Sequence, residues 1–359
     1  MPSPPLPPPG HGDTFTASDG KELFFETWEP EGGVAARGEV LFFHGVHESA
    51  DTKTARRLAA RVTAAGLRFR ALEDHAHGRS VRRRRGTHGL VDSFETLVGH
   101  SRDFLSHVRA LWRGGGGQGA AAAAAAAAVG AAAVGDGDDE EDAFRVFLVG
   151  HSMGGATAAL LADVLADEGV APAGVVLLAP ALLCTPPPQL TVAALTAVSW
   201  LLPSAPLGPP EHGEMYDTGS GLGLNYGGRM RLQTGKLFLD LHGAVEAALA
   251  RGALLDPVPG SSSGSGSGGD GGGSGHAAAA EAPRLPGGGR LALDFPLLVV
   301  HGAGDGAVPL SGSERLLAHA QSRDKELRVL DGRGHQFLCQ RGWQGVADGV
   351  FEWIAARLP

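Results

Sequence analysis

"FLVGHSMGGA", Phe147 to Ala156, decides how the rest of the chain is read. A short apolar run leads into Gly150, a serine follows two positions later, and Gly154 and Gly155 come directly after it. The pattern G-x-S-x-G, here Gly150-His151-Ser152-Met153-Gly154, describes a nucleophile on a sharp strand-to-helix turn. There the serine backbone is strained, and small neighbours such as Gly150 and Gly154 relieve the crowding. In a chain of 359 residues with 56 glycines the five-residue pattern is weak on its own. Its flanks carry more weight. Arg145 to Val149 reads as a strand and Gly154 to Glu168 as a helix, and a merely flexible turn requires neither.

Outward from that turn, strand and helix signals alternate. "GEVLFFHG" (Gly38 to Gly45), "RFRALE" (Arg68 to Glu73), "RVFLVGH" (Arg145 to His151), "GVVLLAP" (Gly174 to Pro180), "FPLLVVHG" (Phe295 to Gly302) and "ELRVLDG" (Glu326 to Gly332) are short aliphatic or β-branched runs. Helical stretches lie between them at Thr52 to Ala65, Ser93 to Leu111, Gly154 to Glu168, Ser311 to Ala320 and Trp343 to Arg357. The alternation predicts an α/β fold, a mostly parallel sheet covered by helices on both faces, with the functional site at the carboxyl ends of the strands.

Three segments lack the means to build a packed core. They are the proline-rich N-terminus, the stretch from Gly114 to Asp142 with its nine consecutive alanines and acidic run, and the Gly/Ser tract from Ser261 to Gly275. The expected organisation is a disordered leader over 1–19, a first half of the core over 20–185 with a low-complexity insert at 114–142, a lid over 186–251, a Gly/Ser-rich linker over 252–290, and a second half of the core over 291–359.

Bulk properties exclude several classes. Thirty basic against 39 acidic residues give a formal charge of -9, which argues against a general nucleic-acid binder. The one basic run, Arg82 to Arg85, reads as a solvated loop. Two cysteines, Cys184 and Cys339, stand far apart in sequence, so a disulfide scaffold is excluded and a reducing compartment is expected. The N-terminus has no basic region followed by an apolar core, which speaks against a secretory signal. The longest nearly apolar run, Leu190 to Pro203, is shorter than the about 20 residues that span a bilayer. A cytoplasmic chain is therefore expected, with peripheral membrane association and organelle targeting left open.

A serine hydroxyl needs a base, usually a histidine oriented by a carboxylate. "FPLLVVHGAGDGAVP" places Asp305 in the loop after one late strand, and "LRVLDGRGHQF" places His335 in the loop after the next. Asp294 and Asp331 compete for the acid role, but Asp294 precedes its strand and Asp331 stands only four residues before His335. The oxyanion donors are expected to be the N–H of Met153, directly after the serine, and that of Val46, in the loop after "LFFHG". His75-x-His77 has no H-E-x-x-H or carboxylate-rich continuation and reads as loop packing, so no metal is expected. Cys339 reads as a small buried hydrophobe.

The segments "FFHGVHES", "EDHAHGRS", "GLVDSFETLVGHSRDFLSHV", "FLVGHSMGGA", "VHGAGDGAVP" and "DGRGHQF" together resemble α/β-hydrolases of the monoacylglycerol lipase and lysophospholipase group, also described as serine aminopeptidase S33-like. The resemblance implies an α/β-hydrolase fold with an inserted lid and a serine esterase with Ser152, Asp305 and His335 as triad. It implies no cofactor, and a lipid ester with one long acyl chain as substrate. Two departures stand out. Ala76 replaces the first glycine of the family's Asp-x-x-Gly-His-Gly-x-Ser, and "MYDTGSGLGLNYGG" in the lid is longer than usual and lacks its proline. Leu190 to Leu202 is apolar nearly all round, which suits a helix buried over an acyl pocket or one resting on a lipid surface. The function read from these residues is hydrolysis of a monoacylglycerol or lysophospholipid ester. The alternatives are an acyltransferase with the same triad and a non-enzymatic ligand-binding receptor on the same fold.

Overall fold

The computed structural model describes residues 6–81, 87–114, 144–207, 224–225, 229–255, 285 and 291–358. Ten strands are assigned among them: β1 (His11–Thr16), β2 (Glu22–Trp28), β3 (Glu39–Phe43), β4 (Arg68–Leu72), β5 (Val146–His151), β6 (Gly174–Leu178), β7 (Pro206–Leu207), β8 (Met230–Arg231), β9 (Leu297–Gly302) and β10 (Lys325–Leu330). The main sheet runs β1-β2-β4-β3-β5-β6-β9-β10. From β4 to β10 every neighbouring pair is parallel, and β1 and β2 are joined antiparallel at one edge.

The central strands are apolar at successive positions because both of their faces are covered. Leu41, Phe43, Leu148, Leu177 and Val299 face one core together with α2 (Phe94–Arg113) and α3 (Met153–Asp167). Their alternate neighbours Val40, Phe42, Phe147, Val149, Val176 and Val300 face a second core with α1 (Lys53–Ala64) and α7 (Trp343–Ala355). Two helix starts carry their own signal. Thr52 accepts from the Ala55 N–H at 3.0 Å at the head of α1, and Ser93 accepts from the Thr96 N–H at 3.0 Å at the head of α2. Such caps contribute about 1 kcal/mol each. Every residue of α3 from Met153 to Leu165 is buried, which is why that helix shows no polar stripe. It is held under the sheet end from which the serine projects.

The two arginines of β4 are buried and face one glutamate of β3. Arg68 Nη1 lies 2.7 Å from Glu39 Oε1, and Arg70 Nε lies 3.0 Å from Glu39 Oε2. Glu39 is fully buried, so this carboxylate and its two guanidinium partners make up one compensated charge cluster within the sheet.

Two expectations change. The leader expected over 1–19 ends in β1, which pairs along its whole length with β2. Only Phe15 of β1 is buried, so this edge strand carries no alternating pattern for a sequence reading to find. Between the core halves, α4 (Gln189–Leu201) forms where an apolar helix was expected, but it is not buried over a pocket. Ser199 is its only buried residue, and Leu190, Trp200 and Leu201 are 87%, 85% and 81% exposed. By contrast α5 (Leu232–Leu255) packs onto the core through Leu241, Ala244, Val245 and Ala248. The remaining helix, α6 (Leu310–His319), follows β9. The alanine tract, the Gly/Ser tract, Arg82 to Arg85, Tyr216 and Tyr226 lie outside the described residues.

Candidate active site

Ser152 is the residue on which β5 turns into α3. Its backbone has φ 54 and ψ −116, a region that a residue with a Cβ occupies at a cost of about 1–3 kcal/mol. The neighbours hold it there. Its N–H donates to Leu178 O at 2.9 Å, and its own carbonyl accepts from Ala156 N at 3.1 Å and Ala181 N at 3.0 Å. The two glycines of the pattern are sterically required: a Cβ on Gly150 would stand 2.0 Å from Gly154 O, and one on Gly154 would stand 2.0 Å from Phe43 O. The chain at the serine is thus pressed against β3 from one side and against its own turn from the other.

The later strand ends bring Asp305 and His335 together. His335 Nδ1 lies 2.7 Å from Asp305 Oδ2. The other carboxylate oxygen, Oδ1, accepts the N–H groups of Ala307 at 2.8 Å and Val308 at 2.9 Å. His301, at the end of β9, approaches from behind with Nε2 3.2 Å from Asp305 Oδ2 and 3.1 Å from Val308 O, while its Nδ1 meets Ser313 Oγ at 2.8 Å. Burial alone would raise the Asp305 carboxyl. The hydrogen bonds from His301 and His335 outweigh it and hold the group well below the usual carboxylate range. Burial pushes the His335 imidazole below its ordinary value, and a positive charge on His151 adds to this against the opposing pull of Asp305. Asp294 and Asp331 take no part in this arrangement.

Ser152 reaches this pair through its own neighbour. His151 stands with its ring 4.9 Å from that of His335, and its Nε2 lies 3.3 Å from the His335 carbonyl oxygen. Among the described residues no hydrogen bond joins Ser152 Oγ to the His335 ring. The two expected oxyanion donors stand next to residues of this site in the chain. Met153 is the first residue of α3, where amides have no partner inside the helix, and Val46 follows Gly45 in the loop after β3.

Three residues of the site were not picked out from sequence. His301, Glu48 and His151 are all buried. His151 ends β5, His301 is the next-to-last residue of β9 and Glu48 lies in the quoted "HGVHES", but nothing in their spacing announces that their side chains turn inward. Cys339 has its thiol pushed up to about 11 by burial and by the Glu48 charge, which makes it a poor nucleophile. His44, Asp74 and His77 bring potential ligand atoms within 4.8 Å of one another. Three of the four ring nitrogens meet the backbone: His44 Nδ1 meets Gly45 O at 2.7 Å, His44 Nε2 accepts Asp74 N–H at 3.3 Å, and His77 Nε2 accepts His47 N–H at 3.0 Å, while the buried His77 Nδ1 has no hydrogen-bond partner among the described residues.

The fold has counterparts of known structure. A soluble variant of the monoglyceride lipase of Saccharomyces cerevisiae, solved with a substrate analogue, superposes with a TM-score of 0.61 at 15% identity, over 97% of this chain and 96% of that one. The chain has the α/β-hydrolase fold and is similar to monoacylglycerol lipases. A family model described as serine aminopeptidase, S33 matches residues 131–220 of the hydrolase. The human monoglyceride lipase is 24% identical over 346 residues, which cover 95% of the hydrolase and 89% of the human chain. The monoacylglycerol lipase of Mycolicibacterium smegmatis is 39% identical over 67 residues, so that this match spans 24% of that enzyme and 19% of the hydrolase.

Proposed function

We propose that the hydrolase is a serine esterase that cleaves the ester bond of a monoacylglycerol or lysophospholipid through an acyl-enzyme on Ser152. The observation that carries the reading is the strained Ser152 at the end of β5, with the His335–Asp305 pair at 2.7 Å on the neighbouring strand ends. The family model and the names of the relatives support a carboxylic ester hydrolase and supply the substrate class.

In this reading His335 takes the Ser152 hydroxyl proton as Oγ bonds to the ester carbonyl carbon. The N–H groups of Val46 and Met153 receive the oxyanion. The carbonyl reforms as the ester C–O bond breaks, and the imidazolium passes its proton to the departing glycerol or glycerophosphate oxygen. A water molecule, deprotonated by the same imidazole, then attacks the acyl carbon, and the fatty acid leaves as Ser152 regains its proton. Asp305 stays ionised throughout and fixes the ring by accepting from Nδ1. The Ser152–His335 contact tightens when an ester occupies the site. No step calls for a metal or a cofactor.

The exposed apolar face of α4 supports a second part of the proposal, that the hydrolase meets its substrate at a lipid surface. An aromatic and two leucines left open to water on this helix match one that rests on the headgroup boundary. No helix among the described residues is long and apolar enough to cross a membrane.

Fatty-acid release from a panel of monoacylglycerols, lysophospholipids and short aryl esters, run beside Ser152→Ala, tests the reading. Cleavage of one lipid class with a loss of about a thousandfold or more in the variant supports it. Cleavage of short esters alone removes the lipid substrate, and an unimpaired variant removes the nucleophile.

A further inference from the structure

Glu48 lies where three loops of the site meet, and its carboxylate reaches all three. Oε2 accepts the Gly45 N–H at 2.8 Å and stands 3.5 Å from His151 Nδ1, while Oε1 accepts from Gln336 Nε2 at 3.1 Å. Gly45 immediately precedes the oxyanion donor Val46, His151 immediately precedes Ser152, and Gln336 immediately follows His335. His151 closes the circuit through its 3.3 Å contact with the His335 carbonyl. Both Glu48 and His151 are buried, at 4% and 2% exposure. A carboxylate this far from water is costly unless several donors and a counter-charge compensate it. Here the compensating groups are the backbone and side chains of the loops that carry the proposed chemistry.

We propose that Glu48 is a positioning residue of this active site, its one carboxylate clasping the oxyanion loop, the nucleophile turn and the base loop in register, with His151 as its charged counterpart. The inference rests on Ser152 and His335 being the nucleophile and base.

The electrostatics follow from the geometry. Burial would lower the His151 imidazole, but the Glu48 charge and contact outweigh it and raise it. Burial would likewise raise Glu48, but the His151 charge, its contact and the Gly45 N–H bring it down to about 2. Both shifts favour the ion pair, whose imidazole stands tilted beside the His335 ring at 4.9 Å. The other groups facing this cluster are His44 and Cys339 beside Glu48, Asp305 beside both His151 and His335, and His301 behind Asp305. Glu48→Gln removes the counter-charge. Buried His151 then releases its proton to solvent, and the repulsion that holds His335 below its ordinary value is lost together with the smaller opposite pull that the Glu48 charge itself exerts on His335. The pH below which activity is lost consequently moves up.

The test is the pH profile of kcat/KM on a water-soluble aryl ester for the full chain and for Glu48→Gln, Glu48→Asp, His151→Gln and Ser152→Ala, each checked by thermal melting. The expected result for Glu48→Gln is a fall in kcat of about tenfold or more, a smaller change in KM, and an acid limb displaced to higher pH. Glu48→Asp, which keeps the charge, returns the limb toward its original position. If Glu48→Gln does not fold, His151→Gln reads the same displacement, because it removes the cation itself. A rate loss uniform across pH, or wild-type rates, in a folded Glu48→Gln or His151→Gln overturns the inference while an inactive Ser152→Ala leaves the nucleophile in place. An active Ser152→Ala overturns the nucleophile reading and the clasp with it.

Discussion

His301 and His335 share one carboxylate oxygen: Asp305 Oδ2 lies 2.7 Å from His335 Nδ1 and 3.2 Å from His301 Nε2. The aspartate is thereby held from two sides, with its other oxygen tied to the following backbone. Two consequences can be measured. Asp305→Asn, which disturbs the tautomer and orientation of His335, is expected to lower kcat by about 10³- to 10⁴-fold. His301→Gln, which alters the support behind the carboxylate, is expected to cost about 10- to 100-fold with the fold intact. Equal losses in the two variants contradict the ranking.

The pH dependence has a definite sign. His335 is held below its ordinary value by burial and by His151, so it stays neutral, and able to accept a proton, to lower pH than a free imidazole does. Protonation removes the base, so kcat/KM falls as pH drops through the depressed value. The acid limb for the wild type is expected below the ordinary imidazole value of about 6.5. A limb above that value contradicts the assignment.

The turn has no room for a methyl group. Gly154→Ala would place Cβ 2.0 Å from Phe43 O, a backbone atom of β3 that cannot swing aside. The expected outcome is a loss of about 1–3 kcal/mol or more in urea denaturation, together with loss of esterase activity from the displaced serine. Gly345, where nothing lies within 4 Å of an added Cβ, is the control, and alanine there leaves activity unchanged.

The charge cluster of β3 and β4 bears on stability rather than on chemistry. Glu39→Ala strands Arg68 and Arg70 without their shared carboxylate. The expected cost is about 3–5 kcal/mol, read as a lowered urea midpoint with an unchanged slope. An unchanged midpoint shows that Glu29, 2.8 Å from Arg68, suffices on its own.

The α4 face separates lipid contact from catalysis. Trp200→Glu with Leu201→Glu is expected to abolish flotation with liposomes and to leave cleavage of a soluble aryl ester unaltered. Unchanged flotation removes the membrane part of the proposal.

Much of this architecture is legible in the chain because parallel strands covered on both faces read as unbroken apolar runs. "VLFF", "VFLV" and "LLVV" therefore announce β3, β5 and β9, and their ends announce where Ser152 and Asp305 sit. What escaped has physical reasons. β1 is exposed on nearly all its positions and owes its existence to pairing with β2, not to a pattern of its own. Arg68 and Arg70 look like surface residues until Glu39 is placed opposite them. The same holds for Glu48, whose buried role depends on contacts as much as 288 residues away in sequence. For α4, an all-round apolar sequence fits both a buried and an exposed helix, and tertiary placement alone separates the two.

The central claim is that Ser152 Oγ is the atom that becomes acylated. Incubation with a fluorophosphonate, which reacts with activated serines, followed by peptide mapping in a mass spectrometer, tests it directly. The expected result is one adduct per chain on the peptide carrying Gly150 to Gly154, localised to Ser152 and lost in His335→Ala. An adduct on another serine, or none in a folded and soluble preparation, contradicts the account.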